Sequence, residues 1–384
     1  MNLIEIFSEI KQQKLFGRYI TNKHIEPILE TLSNDFEVST IGHSVNKKPI
    51  YAVEIGSGSK KIFMWSQMHG NESTTTKALF DLFNFLKQDS EEANKIKKEF
   101  TLLCIPILNP DGAEAYTRVN ANEIDLNRDS VNLSQPESQL LRKMFGDFKP
   151  DYCFNLHDQR TIFAAGNTRN PATVSFLAPA YNDAREYNNV RNKAVNVIVA
   201  MNDELQKHIP NQVGRFDDSF NINCIGDMFQ SLNVPTILFE AGHYQGDYER
   251  EETRKYIFVA LMSGLQFIYK NITIEDKTTN YVNIPQNKVS FVDFAYRNFN
   301  INYNSLNIIT TFAAQYKEML IDGKIVFEAY FSEIEDGATF FGHQEYDGEE
   351  GDYSDDSSSL PEIGKKADFY LNKNIRFVNG LIKM

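Results

Sequence analysis

A chain of 384 residues with 42% hydrophobic and 24% charged residues can bury a sizeable core, and no apolar run approaches the ~20 residues that span a bilayer, which argues against a membrane protein. Net charge is −13, yet eleven Asp and Glu and no Lys or Arg fall between Glu333 and Glu362, so most of the acidity is local. Phosphate binding needs a basic face, and its absence excludes nucleic acid as the expected partner.

The first 35 residues predict two helices, the second buried along Ile25, Ile28, Leu29 and Leu32. With Glu5 and Glu9 in an amphipathic start, the N-terminus does not read as a signal peptide. Cys104 and Cys153 sit in apolar runs as small hydrophobes, and with Cys224 as the third thiol the expected compartment is reducing and cytoplasmic. PIYAVEIG and KIFMWSQM predict two strands joined as a hairpin through GSGS. Helices follow over about Ser73 to Leu86 and Glu91 to Lys98, then FTLLCIPIL reads as a strand covered on both faces and ending in an NPDG turn.

QPESQLLRKMF starts a helix at its proline, YCFNLH returns to strand, and a long helix is expected from Asp183 to Lys207. VPTILFEAG is a further buried strand before a helix from about Tyr248 to Tyr269. This alternation predicts an α/β domain over 1–274, a mixed sheet with helices on both faces. Over 275–384 the short aromatic runs predict a small, mainly β unit, with 333–362 as an acidic solvated loop; the ligand spacing of a calcium loop is absent.

In MWSQMHGNEST, His69 and Glu72 stand at i and i+3 after an apolar strand, close enough to share one ion. Zinc takes imidazole and carboxylate ligands, and a third is supplied by His157 at the end of the CFNLH strand, where open α/β sheets gather ligands. Taken singly, the first pair also fits a solvated helix face, and His157 fits a satisfied core histidine. Glu240 ends another apolar strand, where a carboxylate without a partner is costly to bury.

HGNE, NPDG, RVNANEIDLNR, the NLH strand and the ILFE strand, in that order over residues 49 to 265, together resemble the zinc carboxypeptidase family. The resemblance implies an eight-stranded-type mixed sheet and one zinc per chain held by His69, Glu72 and His157. It further implies Glu240 as general base, Arg118 as the arginine that stabilises the oxyanion, and Asn127 with Arg128 as the grip on a terminal carboxylate. The implied activity is removal of C-terminal residues from peptides. Gly70-Asn71 is shared with the aspartoacylase and succinylglutamate desuccinylase group, and Asp129 stands where most peptidases of the family carry Asn. N-acyl amino acids are therefore the alternative substrates, and an inactive binding protein is the third reading. No tyrosine occupies the stretch DDSFNINCIGDMF upstream of the base, leaving Tyr244 as a distant candidate cap. Arg215, Asp217, Asp218 and Asp227 are candidate pocket residues or plain surface charges.

Overall fold

The computed structural model describes residues 2–270, 273–303, 305–335, 339–356 and 358–383. They divide into two compact units: the first runs through Arg160 and resumes over Ala172–Asn287, and the second holds Thr161–Pro171 and everything from Lys288 onward.

In the first unit, helices α1 (Leu3–Ile10) and α2 (Asn22–Leu32) precede strands β1 (Glu37–His43), β2 (Pro49–Ile55) and β3 (Lys60–Ser66). Then come α3 (Thr74–Lys87), α4 (Glu91–Glu99), β4 (Phe100–Ile105), α5 (Pro110–Ala115), α6 (Pro136–Phe148) and β5 (Tyr152–Asp158). The short strand β6 (Phe163–Ala165) belongs to the second unit. The first unit continues with β7 (Val174–Leu177), α7 (Asn189–Leu205), β8 (Val213–Arg215), α8 (Ile225–Ser231), β9 (Thr236–Ala241), α9 (Glu251–Tyr269) and α10 (Thr278–Val282).

Eight strands form one mixed sheet in the order β1-β2-β4-β3-β5-β9-β7-β8. Its centre, β4-β3-β5-β9, is parallel and apolar on both sides, as the continuous hydrophobic runs require. Ile62, Met64, Phe154 and Phe239 point into a core shared with α3, α7 and α9, while Phe63, Trp65 and Cys153 face α6 and α8.

Three expectations are corrected. β2 and β3 are not a hairpin: β4 lies between them and pairs with both. The glycines of the GSGS link serve a crossover, since a side chain at Gly58 would stand 2.0 Å from the Glu99 carbonyl carbon. NPDG is no open turn but the start of α5, with Asn109 Oδ1 accepting from Gly112 N at 2.9 Å. Residues 275–287 group with the first unit, where Tyr281 and Ile284 are buried in its core and the Tyr281 hydroxyl accepts from Ala178 N at 2.9 Å.

The second unit is β-rich. After the short β10 (Asn287–Val289), β11 (Phe291–Tyr303), β12 (Leu306–Ile321), β13 (Lys324–Glu335) and β14 (Phe341–Asp347) form a sheet in the order β13-β12-β11-β14. Strands β15 (Tyr353–Ser354), β16 (Phe369–Leu371), β17 (Ile375–Val378) and β18 (Leu381–Ile382) make another. Phe294, Tyr296, Phe299, Phe312, Phe331, Tyr353, Phe369 and Phe377 build its aromatic core. The acidic stretch 333–362 is therefore not one loop, because Phe341–Asp347 pairs parallel with β11 and buries His343; its residues 336–338 and 357 lie outside the described residues.

Candidate active site

The parallel strands β3, β5 and β9 end on the same edge of the sheet, so their C-terminal residues and the segments leaving them converge there. Beyond β3 the chain turns tightly through His69 and Glu72, with Glu72 N donating to His69 O at 3.1 Å, before entering α3. Gly70 is pressed against α5, where any side chain would come within 1.9 Å of the Gly112 carbonyl carbon. The two sequence motifs HGNE and NPDG thus interlock backbone to backbone.

His69, Glu72 and His157 are all buried, and one ligand atom from each lies within 4.8 Å of the others. The Nδ1 atoms of the two imidazoles stand 3.1 Å apart, and each is 2.8 Å from one oxygen of Glu72. On the other side of the ring, His69 Nε2 is 3.0 Å from Asp125 Oδ1. A proton donated there leaves Nδ1 as a lone pair aimed at a carboxylate and a second imidazole. Such acceptors repel unless a positive charge sits between them. Zinc fits: nitrogens at ~2.0–2.1 Å from a tetrahedral ion stand about 3.3 Å apart, and two imidazoles with one carboxylate leave its fourth position open. His157 Nε2 is buried without a hydrogen-bond partner.

Glu240 is the in-register neighbour of His157 across β5 and β9. Burial, reinforced by the charges of Glu72 and Asp158, pushes its carboxyl well above the usual carboxylate range. Glu72 goes the other way: burial alone would raise it, but His69 and His157 hold it well below. Arg118 joins the group, with NH1 3.4 Å from Glu72 Oε1 and Nε 3.1 Å from Asp125 Oδ2, and its side chain is half exposed. Asn127 and Arg128 occupy a 3₁₀ turn (Leu126–Arg128) capped by Asp125, whose Oδ1 accepts from Asn127 N at 2.9 Å. Asn127 Oδ1 accepts from Ile225 N at 3.1 Å, tying this turn to the start of α8, while the Arg128 side chain is exposed.

The sequence model of the family described as zinc carboxypeptidase matches residues 21–316. The chain belongs to the zinc carboxypeptidase family. It is 29% identical over 115 residues to Carboxypeptidase 2 of Trichophyton rubrum, covering 29% of this chain and 21% of that protein. It is 29% identical over 162 residues to Carboxypeptidase SOL1 of Arabidopsis thaliana, covering 36% and 33%. The chain thus aligns with a fifth to a third of the length of these curated relatives. The metallo-carboxypeptidase of Burkholderia cenocepacia shares the fold, with a TM-score of 0.53 and 15% identity over 66% of this chain and 70% of that one. The family uses zinc, and His69, Glu72 and His157 form a group able to bind it. Among the described residues, no helix is long and apolar enough to cross a membrane.

Two residues of this family member escaped the sequence reading. Asp125, inside the quoted motif two places before Asn127, takes hydrogen bonds from both His69 and Arg118; the signal was the DLNR spacing itself. Asp158, directly after His157, accepts from Thr74 N at 3.0 Å at the head of α3, while its own N–H donates to Glu72 Oε2 at 3.2 Å. Asp129, the departure from the usual Asn, is taken up locally and accepts from Ser134 N, Ser134 Oγ and Gln135 N.

The candidate pocket residues separate. Asp218 is taken by Arg191 at 2.6 Å, Asp217 by Ser219, and Arg215 lies over the Tyr281 ring. Asp227 is buried in the first turn of α8, accepts from Asn221 N at 3.2 Å, and is pushed up by burial to about 7. Tyr244 is a packing residue against Tyr256, with ring centroids 5.8 Å apart.

Proposed function

We propose that this protein is a zinc metallocarboxypeptidase that releases C-terminal residues from peptides, with one zinc held by His69, Glu72 and His157. The observation that carries the reading is the convergence of those three side chains, with ligand atoms within 4.8 Å of one another, beside Glu240 at the end of the neighbouring strand. A zinc ion held by His69, Glu72 and His157 would supply Lewis acidity to the scissile carbonyl and to a water. Glu240 takes a proton from water on its carboxylate and passes it to the leaving amine. Arg118 donates to the carbonyl oxygen as negative charge develops, a role suited to a guanidinium that stays charged. Asn127 and Arg128 grip the terminal carboxylate, with the Asn127 oxygen occupied by Ile225 N–H and its amide N–H₂ left to donate.

Family membership favours peptides, and N-acyl amino acids gain no support from the comparisons. The cytoplasm is proposed as the compartment, in keeping with Cys104, Cys153 and Cys224 all being free thiols. The test compares matched peptides with free and amidated C-termini. Chelator-sensitive cleavage of the free form, falling at least tenfold on amidation, is expected. Equal cleavage of both would remove the exopeptidase reading.

A further inference from the structure

Arg118, Asn127 and Arg128 all stand on one excursion of the chain between α5 and α6. It is poorly supplied with apolar anchors: Ala121, Asn122, Glu123 and Ile124 are exposed, and Leu126 is buried only beyond them. Fixing such a stretch costs backbone entropy that no hydrophobic burial offsets locally, so polar contacts have to hold it.

Asn120, 3% exposed, supplies them. Its backbone closes a turn, with N donating to Ile124 O at 3.0 Å and O accepting from Glu123 N at 2.9 Å. Its side-chain oxygen accepts from Asn122 N at 3.0 Å and Ile124 N at 3.1 Å. Its Nδ2 donates away from the turn, to Gln135 Oε1 at 2.9 Å and Glu137 Oε2 at 3.2 Å, both at the start of α6. Glu137 is fully buried, and its other oxygen accepts from Val45 N at 3.1 Å. Two lone pairs and two N–H groups are all that an amide has, and every one is used. An aspartate of the same shape would keep the two inward acceptors but set a second oxygen against those of Gln135 and Glu137.

The turn that Asn120 closes brings Arg118 back onto Asp125, with Arg118 Nε 3.1 Å from Asp125 Oδ2. Asp125 in turn caps the 3₁₀ turn that carries Asn127 and Arg128. On the carboxypeptidase reading above, we infer that Asn120 is a positioning residue. Through Gln135 and Glu137 it fastens to α6 the loop whose Arg118 meets the scissile carbonyl and whose Asn127 and Arg128 hold the terminal carboxylate. Groups that must act together across one substrate tolerate little displacement, about 1 Å being enough to cost about a hundredfold in rate.

The experiment measures kcat and KM of the zinc-loaded protein on an acylated dipeptide with a free C-terminus and on its amide, and reads the ratio of the two kcat/KM values. Asn120→Asp is expected to lower that ratio about tenfold, chiefly by raising KM for the free peptide, since the amide does not engage the carboxylate grip. Adding Glu137→Gln places a donor opposite the new oxygen and is expected to restore the ratio to within about twofold of the wild type. An unmoved ratio in Asn120→Asp, an equal fall for both peptides, as loss of folded protein alone would give, or a ratio that stays low with Glu137→Gln added overturns this inference and leaves the carboxypeptidase reading standing. If Asn120→Asp fails to fold, Gln135→Met decides: it removes one acceptor of the Asn120 amide and should lower the ratio about threefold, and an unmoved ratio overturns the inference. Equal cleavage of the free and amidated peptides by the wild type, or cleavage of neither, overturns the carboxypeptidase reading and this inference with it.

Discussion

Two buried polar clusters lie in the first unit, and they solve opposite problems. Around Asp81, opposite charges are matched: Arg254 grips it through Nε and NH2, each at 2.6 Å, Gln12 N adds a bond at 2.7 Å, and Glu251 holds Lys77 at 2.6 Å and Lys11 at 2.8 Å. Around Glu72, acids and imidazoles converge on one another, and the half-exposed Arg118 reaches Glu72 and Asp125. The first cluster is complete and joins α1, α3 and α9. The second brings two imidazoles and a carboxylate within reach of one ion, and that is the mark of a binding centre.

If the two clusters differ in this way, substitutions in them must separate activity from stability. The largest expected effect is on turnover: Glu240→Gln lowers kcat by about 10²–10⁴-fold, the usual share of a general base, with zinc content by elemental analysis unchanged. Retained turnover would assign the proton transfer elsewhere. Asp81→Asn does the converse, leaving the Arg254 charge buried with a weakened partner. A loss of about 3–5 kcal/mol in denaturant unfolding is expected, with activity per folded molecule kept.

A smaller effect is expected where the incomplete cluster is merely oriented. Asp125→Asn removes the acceptor that fixes the His69 ring and weakens zinc affinity about 10–100-fold in a chelator competition. An unchanged affinity would leave Asp125 as a cap of the 3₁₀ turn and nothing more.

The smallest signal comes from pH. Burial alone would raise Glu251, but Lys77 and Arg254 bring it down to about 2 from an ordinary 4.5. A carboxylate depressed in the folded state contributes stability that is complete above about 4.5 and is lost as pH falls toward 2. Glu251→Gln therefore flattens the acid limb of a stability curve between those values. A limb of unchanged slope would show that the matched cluster titrates through other groups.

Legibility in the sequence followed the same division. The strands that carry His157 and Glu240 were readable because parallel central strands are apolar on both faces, and a polar residue at the end of such a run stands out. β7 and β8 were missed, being only four and three residues long and lacking a period. α8 went unread as well: seven residues starting from Ile225, behind an N-cap Cys224 that makes no side-chain cap, give little helical signal.

By itself the sequence determined the family, the zinc-binding residue types and the alternation of strand and helix, since ligand chemistry and hydrophobic period are local properties of the chain. Tertiary structure alone decided that β4 separates β2 from β3, that Asp125 stands behind His69, and that Asp158 ties Glu72 to the head of α3. Each of these depends on which distant backbone segments lie side by side, a choice made by the packing of the whole sheet and invisible to any window of sequence.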